Sequence, residues 1–207
     1  MTNIIGVLAI QGNFSRHSER IRELGHKTLE VRRADQLSLV SAIIIPGGES
    51  SAFLKLLDPE LKNALIDAIS AGMPCLATCA GIILLAKHVT NPAQESLGLI
   101  DIDVVRNAFG RQTDSFVTED ILLADGMYAM PEACSILPPN TNAIEGVFIR
   151  APRISRLGAG VRVLASYAAE PVMVAEGNVV AMTFHPEMSN TCVLPHQLLI
   201  NMANREN

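Results

Sequence analysis

The sequence predicts an α/β protein in three layers, a mostly parallel central sheet flanked by helices. Three observations predict it. Residues 4–10, Ala42–Ile45 and 74–78 are continuous apolar runs, the mark of strands covered on both faces. The segments between them carry apolar residues at helical spacing. Three breaks follow strand ends: Gln11-Gly12, Pro46-Gly47-Gly48-Glu49 and Thr78-Cys79-Ala80-Gly81. In open parallel sheets, sites lie at the carboxyl ends of strands.

The elements follow in order. After the first strand, Phe14, His17, Ile21 and Leu24 recur at helical spacing, and Gly25 stands at a C-cap position. Lys27–Val31 is a second strand and Ala42–Ile45 a third. A helical stretch over 51–71 breaks at Asp58-Pro59, where Asp58 can cap a new helix with Pro59 in its first turn. Residues 74–78 form a fourth strand, and 80–88 read as a helix. The second half offers short strands at 101–105, 115–117, 147–149 and 161–165, and a hairpin of 171–175 with 179–184. Residues 123–143, rich in Pro, Ala and Asn, read as a surface loop or insertion, and 194–202 as a closing helix. Without repeat or linker, 1–207 reads as a single domain.

Composition narrows the function classes. Hydrophobic residues make up 49% and charged residues 18%, as in ordinary folded proteins. A net charge of −5, with 4% aromatics and no Trp, argues against a nucleic-acid partner. The four cysteines, at 75, 79, 134 and 192, make neither a CxxC pair nor a zinc pattern, so no metal is expected. Reduced thiols and the lack of a signal peptide or spanning run point to a cytoplasmic protein without a membrane partner. The Asn13-Phe14-Ser15 sequon then has no glycosylation role.

Cys79 falls between a predicted strand and a predicted helix. Small residues at 77, 80 and 81 permit the sharp turn of a nucleophile elbow. Such a turn sets the sulfur at a helix N-terminus, where N–H groups and the dipole favour thiolate, and the next N–H can face an oxyanion. The elbow alone is equally compatible with a buried structural cysteine, which is how Cys75 reads. A thiol nucleophile needs a proton acceptor that later protonates the leaving amine. Of five histidines, His185 stands out because it follows an apolar strand and opens His185-Pro186-Glu187. In an extended segment, residues two apart project to one side, so Glu187 could orient His185. The other histidines read as structural: His17 on a helix, His26 after a cap, His88 at a helix end and His196 on the last helix.

The Gly47-Gly48 loop allows close backbone approach to a ligand, or is a tight turn; it lacks the Lys of a P-loop. Arg106 and Arg150 each adjoin a strand, where an Arg could grip the carboxylate of an amino acid or could simply face solvent.

Six segments together carry a resemblance: Gly6-Val7-Leu8-Ala9-Ile10-Gln11-Gly12, Ile45-Pro46-Gly47-Gly48-Glu49-Ser50, Thr78-Cys79-Ala80-Gly81, Arg106-Asn107-Ala108-Phe109-Gly110-Arg111-Gln112, Phe148-Ile149-Arg150-Ala151-Pro152 and Phe184-His185-Pro186-Glu187. In this order they resemble the glutaminase subunits of pyridoxal 5′-phosphate synthase, which are class I, triad-type glutamine amidotransferases with a flavodoxin-like sheet. The resemblance implies glutamine hydrolysis through a thioester on Cys79, with His185 and Glu187 as acid–base partners. It implies an oxyanion site at the Gly48 and Ala80 N–H groups. Gly47, Gly48, Glu49, Ser50, Arg106, Ile149 and Arg150 would bind L-glutamine, without a cofactor. Ammonia would pass to a ring-building synthase subunit for vitamin B6, with Gln11 near the contact. The chain departs from the family pattern with Ala77 for the usual Gly, Ser51 for the usual Thr, and a longer 123–143. Other readings are a glutaminase serving a histidine or purine synthase, a partner-free γ-glutamyl hydrolase, and a non-catalytic binding subunit. The Arg106 and Arg150 segments count against the first, and an intact triad against the last.

Overall fold

The apolar runs become neighbouring strands in the computed structural model, which describes residues 3–108, 115–134, 136–137 and 141–205. In chain order the first half holds β1 (Ile4–Leu8), α1 (Phe14–Glu23), β2 (Lys27–Val31), β3 (Ala42–Ile45), α2 (Ser50–Leu56), α3 (Pro59–Ser70), β4 (Cys75–Thr78), α4 (Ala80–Leu85) and β5 (Ala86–Thr90). The second holds β6 (Ile100–Val105), β7 (Phe116–Leu123), α5 (Asp125–Tyr128), α6 (Pro131–Cys134), β8 (Ala143–Phe148), β9 (Arg153–Leu157), β10 (Arg162–Tyr167), β11 (Glu170–Glu176), β12 (Val179–Met182) and α7 (Leu194–Arg205).

Among the described residues, nine strands form one sheet in the order β2-β1-β3-β4-β12-β11-β10-β7-β8. From β2 through β12 every pairing is parallel. The strands beyond β12 extend the sheet by antiparallel pairing. A second sheet, β5-β6-β9, lies apart from it.

Alternation along the inner parallel strands feeds two cores, which is why β1, β3, β4 and β12 are almost wholly apolar, while the edge strand β2 exposes Lys27 and Glu30. Leu8, Ile43, Ile45, Cys75, Ala77, Val179 and Ala181 enter one core with Phe53 of α2, Leu61, Leu65 and Ile69 of α3, and α4. Ile5, Val7, Ile44, Leu76, Val180 and Met182 enter the other, with Ile21 of α1 and Leu198, Leu199 and Met202 of α7. This is the three-layer arrangement read from the sequence.

Local chemistry sets the helix ends. Asp58 Oδ1 accepts from the N–H groups of Glu60 (2.9 Å) and Leu61 (3.3 Å), with Pro59 in the first turn. Glu49 caps α2 by accepting from the Ser51 N–H. Among the described residues, no helix is long and apolar enough to cross a membrane.

Two expectations give way. The helix from Ala80 stops at Leu85, and 86–90 turn into β5, which buries Ala86 and Val89 and pairs with β6. Tertiary pairing overrides local propensity there. Residues 123–143 are not a plain loop: Leu123 ends β7, and α5 and α6 bring Met127, Met130 and Ala133 into the core. Their three-residue spacing was the helical signal within a Pro-rich stretch. The strand β9 had no counterpart in the sequence reading.

Gly81 packs so closely on β3 that a Cβ there would overlap the Ile45 carbonyl oxygen. Gly81→Ala is therefore expected to destabilise by roughly 1–3 kcal/mol, measured by urea unfolding.

Candidate active site

Three adjacent parallel strands end level. Ile45 of β3 lies opposite Ala77 of β4, and Thr78 of β4 opposite Met182 of β12. The chain just past each strand therefore reaches the same edge, bringing together Gly47-Gly48, Cys79 and His185. Two backbone bonds fix the junctions: Cys79 N–H donates to Met182 O (2.9 Å), and His185 N–H to Val147 O of β8 (2.8 Å). The second bond also carries Ile149 and Arg150, just past β8, to the site.

Cys79 takes φ 48° and ψ −103°, a conformation that side-chain-bearing residues adopt only under strain. Small Ala80 and Gly81 let α4 start directly beneath it. Ala77 is fully buried in the core and does not prevent the elbow. The N–H of Ala80 opens α4 and so has no helical acceptor. Cys79 Sγ lies 3.8 Å from the Ile149 carbonyl oxygen. Gly47 fits against the site so tightly that a Cβ there would overlap His185 Cε1.

His185 Nδ1 and Glu187 Oε1 are 2.7 Å apart, both buried. They do not meet along an extended segment, as the spacing suggested. His185 is followed by a 3-10 turn, Pro186–Met188, with Pro186 at its start, and the turn folds Glu187 back under the imidazole. Burial is the largest influence on His185 and lowers its pKa. Attraction and a hydrogen bond to the Cys79 sulfur, with the same from Glu187, outweigh burial and lift it to about 10. Burial likewise works to raise the pKa of Glu187, but the attraction of His17 and the bond to His185 bring it down to about 2. By contrast, burial raises the thiols of Cys75 and Cys192, the latter to about 12.

Cys79 and His185 open onto a cavity of about 160 Å³, small beside the ~300–1,000 Å³ of drug-sized pockets. Of the expected residues, Gly48, Glu49, Ser50, Ala80, Arg106, Ile149 and Arg150 line it. Glu49 lies 3.4 Å from Arg106 and 3.7 Å from Arg150, and Arg106 also donates to Ser51 Oγ (3.1 Å). Gln11 does not line the cavity. Its amide brackets the Glu49 backbone instead, with Nε2 donating to Glu49 O and Oε1 accepting from Glu49 N, both at 3.1 Å. Phe109-Gly110-Arg111-Gln112 lies outside the described residues.

Sequence reasoning missed several participants. Gln94 accepts from Ser50 Oγ (3.0 Å). Asn13 and Asn107 line the cavity, and Asn107 and Arg150 share the positive φ of Cys79. Both asparagines sit in glycine-flanked or turn segments, which was the available signal. His17 and His196, read as structural, lie fully buried behind Glu187. Among the described residues, no group of three His, Cys, Asp or Glu side chains is placed to hold a metal.

A strained cysteine, a buried His–Glu pair and a small cavity with two arginines, at the carboxyl edge of a parallel sheet, are the parts that a thiol-type amidohydrolase uses. Residues 7–205 match the SNO glutamine amidotransferase family. Pyridoxal 5′-phosphate synthase subunit PdxT of Thermotoga maritima is 42% identical over 200 residues, 96% of this chain and 98% of that one. The Solibacter usitatus subunit of that name is 43% identical over 186 residues, 90% of this chain and 92% of its own. A solved structure of a glutamine amidotransferase superposes with a TM-score of 0.82 at 38% identity, covering 97% of this chain and 98% of that one. The chain belongs to the SNO glutamine amidotransferase family.

The pKa of Glu187 is lowered on folding, from 4.5 to about 2. Its contribution to stability is thus present above pH 4.5 and is lost as the pH falls toward 2. In acid titrations of urea stability, the native chain should lose roughly 3 kcal/mol across that window that Glu187→Gln does not lose.

Proposed function

We propose that this chain is the glutaminase subunit of a pyridoxal 5′-phosphate synthase, a single domain over residues 1–207 that works in the cytoplasm. The observation that carries the reading is the strained Cys79 beside the buried His185–Glu187 pair, facing Arg106 and Arg150 across the cavity. L-Glutamine enters with its α-carboxylate toward the arginines and its α-ammonium toward Glu49, between the Gly47–Ser50 loop and Ile149. The Cys79 sulfur attacks the side-chain amide carbon, and the N–H groups of Gly48 and Ala80 hold the oxyanion. His185, oriented by Glu187, gives its proton to the amide nitrogen, and the C–N bond breaks to release ammonia. The product is a γ-glutamyl thioester on Cys79. His185 then takes a proton from water, whose oxygen attacks the thioester, and glutamate leaves as the thiol regains its proton.

No cofactor or metal is needed for these steps. The relatives are named as subunits of pyridoxal 5′-phosphate synthase, which supports a separate partner subunit; in this reading that subunit builds the ring, takes the ammonia and docks near Gln11. The net charge of −5 suits neither a nucleic-acid partner nor an anionic membrane surface.

Ammonia release from glutamine, with and without the ring-building subunit, tests the reading. Cys79→Ala should lower it by roughly 10⁴-fold or more while still binding the partner; retained hydrolysis would sink the mechanism. Vigorous turnover that ignores the partner would count against the synthase role, and no turnover in either condition would favour a binding subunit. Arg106→Ala should raise KM about tenfold with a smaller change in kcat, since it removes a hydrogen bond to a charged group.

A further inference from the structure

The first helix places an unusual set of polar groups against the catalytic turn. Asn13, His17 and Arg20 stand four and three residues apart, on one face. Asn13 Nδ2 donates to Glu187 Oε1 (3.4 Å), His17 Nε2 lies 3.4 Å from Glu187 Oε2, and Arg20 Nη2 donates to Ser189 O (2.6 Å). Behind His17, its Nδ1 meets His196 Nε2 of α7 at 2.9 Å, while its Nε2 also lies 3.3 Å from Thr78 Oγ1. His17, His196 and Thr78 are fully buried.

The tautomers follow from what is left unpaired. His196 Nδ1 is buried with no hydrogen-bond partner. An orphaned N–H donor is costlier than an orphaned lone pair, so the His196 proton belongs on Nε2. It then donates to His17 Nδ1, which forces the His17 proton onto Nε2. That N–H hydrogen-bonds Thr78 Oγ1 and faces Glu187 Oε2 across 3.4 Å, a contact too poorly aligned to be a hydrogen bond, and Glu187 Oε2 has no hydrogen-bond partner among the described residues.

We propose that His17 is a positioning residue for the triad, holding an N–H, set by His196, against the carboxylate that orients His185. The proposal rests on the glutaminase reading of Cys79, His185 and Glu187. Burial is the leading influence on both histidines and lowers their pKa, which favours the neutral imidazoles that these tautomers require, while the attraction of Glu187 works in the other direction. Glu187 is thus held as a carboxylate by groups from several elements. His185 faces it on its own turn, with the Cys79 sulfur beyond. His17 and Asn13 face it from the first helix, and His196 on the last helix stands behind His17. Arg20 lies near enough to act on His196. A second buried cation beside Glu187 would weaken its hold on the imidazolium that forms at His185; a neutral donor does not.

The test uses the chain with its ring-building subunit. His17→Phe removes the N–H, and His17→Gln returns a donor near the Nε2 position. The Phe variant is expected to lose about tenfold in kcat with little change in KM, the loss from removing a buried N–H dipole that faces the carboxylate. The acid limb of its kcat–pH profile should move to higher pH, because Glu187 loses the dipole that faces its charged form. His17→Gln should restore both. A folded Phe variant with an unmoved acid limb overturns the proposal. Should the Phe variant not fold, nitrogen-15 NMR of the native chain still decides, with the proton on Nε2 of both His17 and His196 expected and a proton on His17 Nδ1 overturning it. If the native complex releases no ammonia, the glutaminase reading fails by itself, while the tautomer measurement still judges the hydrogen-bond arrangement.

Discussion

The site depends on the register of three strands. Because Ile45, Ala77 and the pair Thr78–Met182 lie level across β3, β4 and β12, the glycine loop, the thiol and the imidazole emerge at one height. A strand slip of one residue would turn every side chain to the other face and move one component by about 3.3 Å. The two cores guard against this, since each of these strands is buried on both sides. The packing that stabilises the sheet is therefore also what places Cys79, His185 and the glycine loop, and the same packing holds the strained backbone of Cys79 in place.

Around that edge the electrostatics divide into two regions. Toward the cavity, Glu49, Arg106 and Arg150 are partly open to water and make long, screened ion pairs. Behind the imidazole, Glu187 is buried among histidines. The open region suits reversible recognition of a small zwitterion. The closed region suits a charge that must stay put through a reaction cycle.

Much of this was legible in the chain. Continuous apolar runs identify strands buried on both faces, and the breaks after them mark the functional edge. Cys79 stood out through its small neighbours and His185 through its place after an apolar strand, whereas the extended geometry that the His185–Glu187 spacing suggested is not the one that joins them. What stayed hidden depends on contacts distant in sequence. The 86–90 segment becomes a strand only because β6 is there to pair with it. Glu187 reaches His185 through a turn whose backbone bond, Met188 N–H to His185 O, nothing in His-Pro-Glu announces. His17 and His196 stand 179 positions apart, and their contact appears only once α1 and α7 cover the same face of the sheet.

Glu49 already occupies the arginines. Its carboxylate gives Arg106 and Arg150 the partner that an amino acid would otherwise supply. The amino acid proposed as substrate would therefore exchange with an internal competitor, and a released Glu49 would need a cation of its own. An α-amino acid offers both charges at once, so the exchange leaves nothing unpaired. An amide bearing only a carboxylate would free Glu49 without a replacement, and one bearing only an ammonium would leave the arginines committed to Glu49. Under the glutaminase reading, the pocket would thus check that both charges of the amino acid are present before the amide reaches the thiol.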